Sequence, residues 1–302
     1  MEKPNINLDS IDSYNKLYGL QTHHPLVAVV DLKEAQHAVN HVTMNYGLYA
    51  LFLKNGVNCS IRYGRRSYDY QEGTVVSFSP GQVIDVDMDQ TVTAPDVKGL
   101  LFHPDIMYGT PLAEKIKSFT FFDYTEMESL HLSDEEREQF LACLRQIKHE
   151  TERPVDHHSA ALISSSILLM IEYLHRFYDR QFCTRHKVNS EVVANFQRQL
   201  KEYFKGEQLK TGLPGVAYFA DRANLSTGYF SDLVRKETGN SPKDIISLHL
   251  LGEAKHRLMT DNADISEIAY ALGFDYPAHF TRMFKRLTGA SPSQYRTRNI
   301  MN

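Results

Sequence analysis

Apolar positions between Pro25 and about Phe122 come in short β-branched and aromatic runs rather than at helical spacing. The segments Leu26 to Asp31, Leu48 to Lys54, Cys59 to Tyr63, Thr74 to Ser79 and Val97 to Phe102 are each strand-like. Turn pairs Asn55-Gly56, Glu72-Gly73 and Pro80-Gly81 separate them. With no helical pattern between them, such strands predict an antiparallel barrel or sandwich, and closure would remove its exposed edges.

After Phe122 the period changes. Ser133, with Glu136 three positions on, forms a capping box for a helix to about Glu150 that carries Phe140, Leu144 and Ile147 on one face. A second helix, about Ser159 to Asp179, places Ile163, Ile167, Met170, Leu174 and Phe177 on one line and Leu162, Leu169 and Tyr173 on another. One stripe is enough to dock a helix on its own barrel, so two suggest a further partner, most simply a second copy of the chain. Burial between barrel and neighbour within one chain explains the pattern equally. The dimer reading takes Ile163, Ile167, Met170 and Leu174 as the contact. Residues 181–190 are polar without periodicity and are expected to be a linker; beyond them Val193, Phe196, Leu200 and Tyr203 mark a helix that ends near Gly206.

The last hundred residues repeat themselves. Phe230 and Thr238-Gly239-Asn240-Ser241-Pro242 return 50 positions later as Phe280 and Thr288-Gly289-Ala290-Ser291-Pro292, and Lys236 returns one position early as Lys285. Upstream, Val216, Phe219-Ala220 and Leu225 return at an offset of 49 as Ile265, Ile268-Ala269 and Phe274. Two copies are too few for a solenoid, so two small modules fit better. Each reads as a short helix, a tight turn (Asn224-Leu225-Ser226, or Gly273) and a second helix. Phe230, Leu233 and Val234 face inward in one copy; Phe280, Met283, Phe284 and Leu287 do so in the other. That arrangement lays its second helix in a DNA major groove. Between the modules, Lys243 to about Thr260 reads as a helix opened by Pro242. Its length of roughly 26 Å would hold two such helices near the ~34 Å between successive major-groove faces.

Composition alters this picture in one respect. The 302 residues favour two domains, and 42% hydrophobic with 23% charged residues is ordinary globular composition. A net charge of −4 argues mildly against a nucleic-acid partner until the chain is divided. From Arg185 onward there are 17 Lys and Arg against 12 Asp and Glu, and before it 16 against 25. The repeated half is basic, which supplies sequence-independent attraction to phosphate. Three scattered cysteines without metal spacing exclude a disulfide framework or zinc ribbon. The start of the chain does not resemble a signal peptide, and the most apolar run, Leu162 to Ile171, is short and followed by Glu172. A cytoplasmic protein with no membrane partner is expected.

The tandem modules, the joining helix and the twice-repeated Phe, basic, Thr-Gly-x-Ser-Pro pattern resemble the C-terminal DNA-binding domain of the AraC/XylS-type transcription regulators, over about Glu191 to Arg298. The N-terminal half is similar, more loosely, to that family's cupin-like sensor barrels, on Gly73-Thr74-Val75-Val76 and Phe78-Ser79-Pro80-Gly81-Gln82. The resemblance implies an α+β multidomain chain. A cupin-like antiparallel β-barrel at 1–130 is followed by dimerisation helices at 131–180 and the linker at 181–190. An all-α domain of two helix-turn-helix modules joined by a linker helix occupies 191–302.

Helical geometry puts Ala278, His279 and Arg282 opposite Phe280 and Phe284, and the resemblance makes them the positions that reach base edges, with Thr281 beside them. Arg282 suits a bidentate contact to guanine, and Lys285 and Arg286 suit phosphate. A phosphate contact or a solvated charge is the plain alternative for Arg282. In the first module the face is Thr227, Gly228, Ser231 and Asp232, poor in long donors, with Arg235 and Lys236 as phosphate anchors. It is expected to discriminate less. Asp232 either accepts from cytosine or pairs with a neighbouring Arg.

The barrel could instead be a metal enzyme. The stretch Cys59 to Gly73 contains no His, and the pairs His23-His24 and His157-His158 are adjacent and so diverge, which gives no ligand set. No nucleophile with a base and no phosphate loop is present, so no metal, no cofactor and no enzymatic activity are expected. Arg62, Arg65, Tyr68 and Tyr70 are weak candidates for binding an anionic or aromatic effector. Expected partners are double-stranded DNA, a second copy, RNA polymerase if the chain activates, and a small-molecule effector if it senses one. The alternative is a cupin-like enzyme or carrier fused to a DNA-tethering domain.

Overall fold

The computed structural model describes residues 3–55, 73–86, 95–125, 128–206, 212–261 and 263–300. The chain divides into two compact units, Met1–Thr184 and Arg185–Asn302.

The first unit runs β1 (Asn5–Leu8), α1 (Ile11–Tyr18), β2 (Val27–Asp31), β3 (Val42–Tyr46), β4 (Tyr49–Lys54), β5 (Thr74–Phe78), β6 (Val83–Val86), β7 (Val97–Phe102), α2 (Pro111–Lys115), β8 (Leu130–His131), α3 (Asp134–Thr151) and α4 (Ser159–Thr184). One sheet has the order β1-β3-β6 and the other β2-β7-β4-β5-β8. Among the described residues the β1–β3 pair is parallel and the other pairs are antiparallel. Met44, Ala50, Phe52, Phe78 and Leu101 meet in one buried cluster that Ile11 and Tyr14 of α1 also join. Leu51 and Leu53, which point to the other face of β4, are equally buried. A strand covered on both faces reads as a continuous apolar run, as Leu48 to Lys54 does. Among the described residues the sheets do not close into a barrel. The expected strand at Cys59 to Tyr63 lies outside the described residues.

Two expectations for the helices need correction. Residues 181–190 are not an irregular linker: α4 continues to Thr184, the next helix begins at His186, and only Arg185 (φ −95°, ψ 14°) departs from helical geometry. The polar residues there are used inside the first unit. The Gln181 amide donates to Ser129 O at 3.1 Å and its carbonyl accepts from His131 N at 2.9 Å. One residue earlier, Arg180 clamps Glu136 at 2.6 Å and His131 O at 2.7 Å. These hydrogen bonds to β8 and α3, together with Phe182 buried one turn beyond Tyr178, hold the end of the helix. The dimer stripe also changes. Ile163, Ile167, Met170 and Leu174 are all buried within their own unit, where α4 packs on α3 and α2, while Leu162 (50% exposed) and Leu169 (45% exposed) stay on the surface. By length and composition α4, at 26 residues, is long and apolar enough to cross a bilayer, and 44% of its most apolar stretch is buried in the unit.

His24 gives the first unit a pH dependence. Its Nδ1 accepts from Leu26 N at 3.2 Å, which requires an unprotonated nitrogen, and burial pushes its pKa below the usual histidine value. The unfolded chain takes up that proton near about pH 6.5 and the folded chain only at lower pH, so stability falls as pH drops through that window. Thermal melts from about pH 7.5 to about pH 5.5 should show a larger acid loss for the natural chain than for His24→Asn, whose carbonyl accepts without titrating. Equal losses would contradict this role.

The second unit is all helical: α5 (His186–Lys205), α6 (Val216–Ala223), α7 (Thr227–Thr238), α8 (Pro242–Thr260), α9 (Ile265–Ala271), α10 (Pro277–Thr288) and α11 (Pro292–Ile300). In the first module α5, α6 and α7 pack together, and the Phe196 ring meets Phe219 and Phe230 edge-on at 4.9 and 5.3 Å. In the second, α9, α10 and α11 pack around Phe274, Phe280, Phe284 and Tyr295. The supporting helix thus precedes the repeat in one copy and follows it in the other. Helix α8 joins them, packing on α7, α9 and α11, and Arg296 of α11 donates to Leu258 O at 3.2 Å near the α8 C-terminus.

Candidate nucleic-acid interface

Each module builds its second helix from local signals. Asn224 ends α6 in the left-handed conformation (φ 55°, ψ 41°), and Ser226 accepts from Tyr229 N to open α7. Asn tolerates that region because its short polar side chain bonds locally. The turn before α10 uses Gly273 at φ 85°, where a Cβ would be strained. Pro277 then occupies the first position of α10, and Gly289 closes that helix at φ 77°.

Burial then fixes which face looks out. Phe230, Leu233 and Val234 hold α7 inward, and Phe280 and Phe284 hold α10; all five are buried. Met283 and Leu287, expected inward, are half-buried. On α10, Ala278, His279, Arg282, Lys285 and Arg286 are exposed and Thr281 is half-buried, so the residues singled out from the sequence share one open surface. On α7, Thr227, Arg235 and Lys236 are exposed, and Gly228, Ser231 and Asp232 are half-buried. The Ser231 hydroxyl donates to Thr227 O at 2.7 Å, which leaves it only as an acceptor toward a ligand. Asp232 is already engaged within the protein. Among the described residues Arg235, Arg282, Lys285 and Arg286 are not held in salt bridges, so their charge faces solvent.

Periodicity did not single out Tyr276. It precedes Pro277, is extended (φ −132°, ψ 121°) and 64% exposed, and its ring lies 5.5 Å from that of His279 at 65°. The signal was present, because a residue before proline is driven out of the helical region and so projects from the helix start.

In the first unit the effector candidates Arg62, Arg65, Tyr68 and Tyr70 lie outside the described residues. The described part holds a cavity of about 70 Å³ between the sheets, lined by Tyr14, Tyr18, Tyr46, Phe52, Phe78 and Lys54 among others. Lys54 is 8% exposed on the inward face of β4. Among the described residues no group of three or more His, Cys, Asp or Glu is placed to hold a metal.

Comparison with known proteins agrees with the geometry. Residues 219–298 match a helix-turn-helix domain family. The raffinose operon transcriptional regulatory protein RafR of Pediococcus pentosaceus is 30% identical over 141 residues, 46% of this chain and 50% of that protein. The arabinose operon regulatory protein of Escherichia coli (strain K12) is 35% identical over 131 residues, 43% of this chain and 44% of that one. The chain thus spans about half the length of the curated relatives it matches. Among solved structures, the DNA-binding domain of AdpA, in complex with a target DNA, is 28% identical, with 36% of this chain and 89% of that one covered and a TM-score of 0.30. Residues 219–298 of the C-terminal unit thus form a helix-turn-helix domain, and it is to the transcription regulators of the raffinose and arabinose operons, over about half of their length, that the chain is similar.

Proposed function

We propose that the chain is a sequence-specific, DNA-binding transcription regulator that works in the cytoplasm as a homodimer and, on binding a small effector, activates transcription through RNA polymerase. The observation that carries this reading is the solvent-facing set His279, Arg282, Lys285 and Arg286 on a helix anchored by Phe280 and Phe284. Base edges are read from the exposed face of such a helix and phosphates are met by its later cations. In the first module, Thr227, Gly228 and Ser231 offer short groups and Arg235 and Lys236 anchor the backbone, so most sequence discrimination falls to α10.

The aromatic cavity with its inward Lys54 supports the sensing role of the first unit, which we read as a cupin-like module although its sheets do not close among the described residues. The exposed Leu162 and Leu169 on α4 support a second copy as the dimer partner, in place of the buried stripe.

Replacing Arg282 by Ala should weaken the cognate site by about 1 to 3 kcal/mol and relax preference at one base position. Lys285→Ala should weaken all sequences alike and lower the salt slope by about 1. Fluorescence anisotropy on cognate and random duplexes at several salt concentrations measures both. Equal losses on both DNAs for Arg282→Ala would show that it contacts phosphate only.

A further inference from the structure

Among the helix starts of the second unit, α7, α8 and α9 carry a side-chain cap, whereas α5, α6 and α10 do not. Ser226, Ser241 and Asp264 open α7, α8 and α9, and each side chain accepts a first-turn N–H. At the same position α10 carries Tyr276, whose side chain makes no such bond. A cap of this kind contributes about 1 kcal/mol, so a tyrosine there forgoes stability. It also leaves a large ring 64% exposed at the end of the helix that carries His279 and Arg282.

We propose that Tyr276 is a DNA-contacting residue of the second module, its ring holding His279 in the orientation presented to a base and its hydroxyl bonding a neighbouring phosphate. The inference rests on the reading of α10 as the DNA-reading helix. Pro277 fixes Tyr276 in extended geometry, off the spiral of the helix, so its side chain stands beside the helix start that enters the groove. The ring meets His279 edge-to-face at 5.5 Å and 65°, which restricts the imidazole without burying it. A phenol donates and accepts and is a regular phosphate partner in protein–DNA interfaces. Arg282, Lys285 and Arg286 on the same helix supply the complementary charge.

Four variants of the full chain, Tyr276→Phe, Tyr276→Ser, Tyr276→Ala and His279→Ala, test this by anisotropy on a selected duplex, single-base variants of it and random DNA, beside thermal melts. Tyr276→Phe keeps the ring and should lose about 3- to 10-fold affinity on every sequence alike, as for one lost hydrogen bond, with base preference intact. Tyr276→Ser and Tyr276→Ala should lose at least as much and also flatten preference at the same base position as His279→Ala. Tyr276→Ser restores a cap, so it should melt higher than wild type while binding DNA more weakly, an opposition that a purely structural role would not produce. Wild-type affinity in Tyr276→Ser and Tyr276→Ala, or affinity falling only in step with stability, overturns the proposal. If the wild-type chain itself prefers no site, the reading of α10 fails and this inference with it; intact preference with silent Tyr276 variants overturns this inference alone.

Discussion

Phe280→Ala should remove about 3 to 5 kcal/mol from the second unit and abolish DNA binding while the first unit stays folded. The Phe280 side chain is 0% exposed and lies between Phe274 at 5.5 Å and Phe284 at 5.8 Å, so truncation leaves a void that three rigid helices cannot collapse around. A loss of that size is a large share of the roughly 5 to 15 kcal/mol that stabilises a typical domain. Arg282 and His279 would then no longer be held on one face. Far-UV circular dichroism during denaturant titration should show helical signal lost at a lower midpoint. An unchanged midpoint would mean that Phe280 does not anchor α10.

The second large effect is expected at Gly99→Val, in the middle of β7 where it pairs with Val30 on one side and Phe52 on the other. A Cβ there would lie 2.6 Å from the Leu51 carbonyl oxygen and run into the Phe52 ring. The ring can turn, but the backbone oxygen cannot move without displacing β4. Overpacking of this kind costs about 1 to 3 kcal/mol, and more where backbone must shift. The substitution should lower the denaturation midpoint of the first unit and disturb the cavity bounded by Phe52 and Lys54. Near-UV circular dichroism follows this through the tyrosines, since the chain has no tryptophan. Wild-type behaviour would show that β4 and β7 do not approach as closely as described.

How much was legible in advance follows from which interactions set each element. The modules were legible because their signals are local: Asn224, Ser226, Gly239, Gly273 and Gly289 punctuate helices whose apolar spacing is unambiguous. The strands at Val27–Asp31, Tyr49–Lys54, Thr74–Phe78 and Val97–Phe102 were legible from β-branched runs. β1 was not, because Asn5 and Asn7 point outward to Asn45 and leave little apolar pattern in four residues. β3 does alternate, with Val42, Met44 and Tyr46 buried, and its signal was missed among polar neighbours. The end of α4 depends on Gln181 and Arg180 reaching residues about fifty positions away, which no local pattern encodes. Helix α11 opens at Pro292, where the Ser-Pro pair that opens α8 returns, but beyond Tyr295, which packs against Phe284, its nine residues carry little apolar spacing to mark it. Periodicity separated the two stripes of α4 but not which of them its own unit covers, because that choice is made by α3 and α2. For the DNA-facing residues, the inward phenylalanines fixed the outward face; Tyr276 stands outside the helical period and escaped it.

Selection of bound duplexes from a random pool, followed by titration of the best site and a scrambled control across salt, tests the central claim most directly. An enriched motif should be bound at least about 10³-fold more tightly than the control, with log affinity falling linearly with log salt. In Arg282→Ala the motif should lose its preference at one base position, while the weaker, salt-sensitive binding to random DNA stays in place. No enriched motif, or equal affinity for selected and scrambled duplexes, would contradict it.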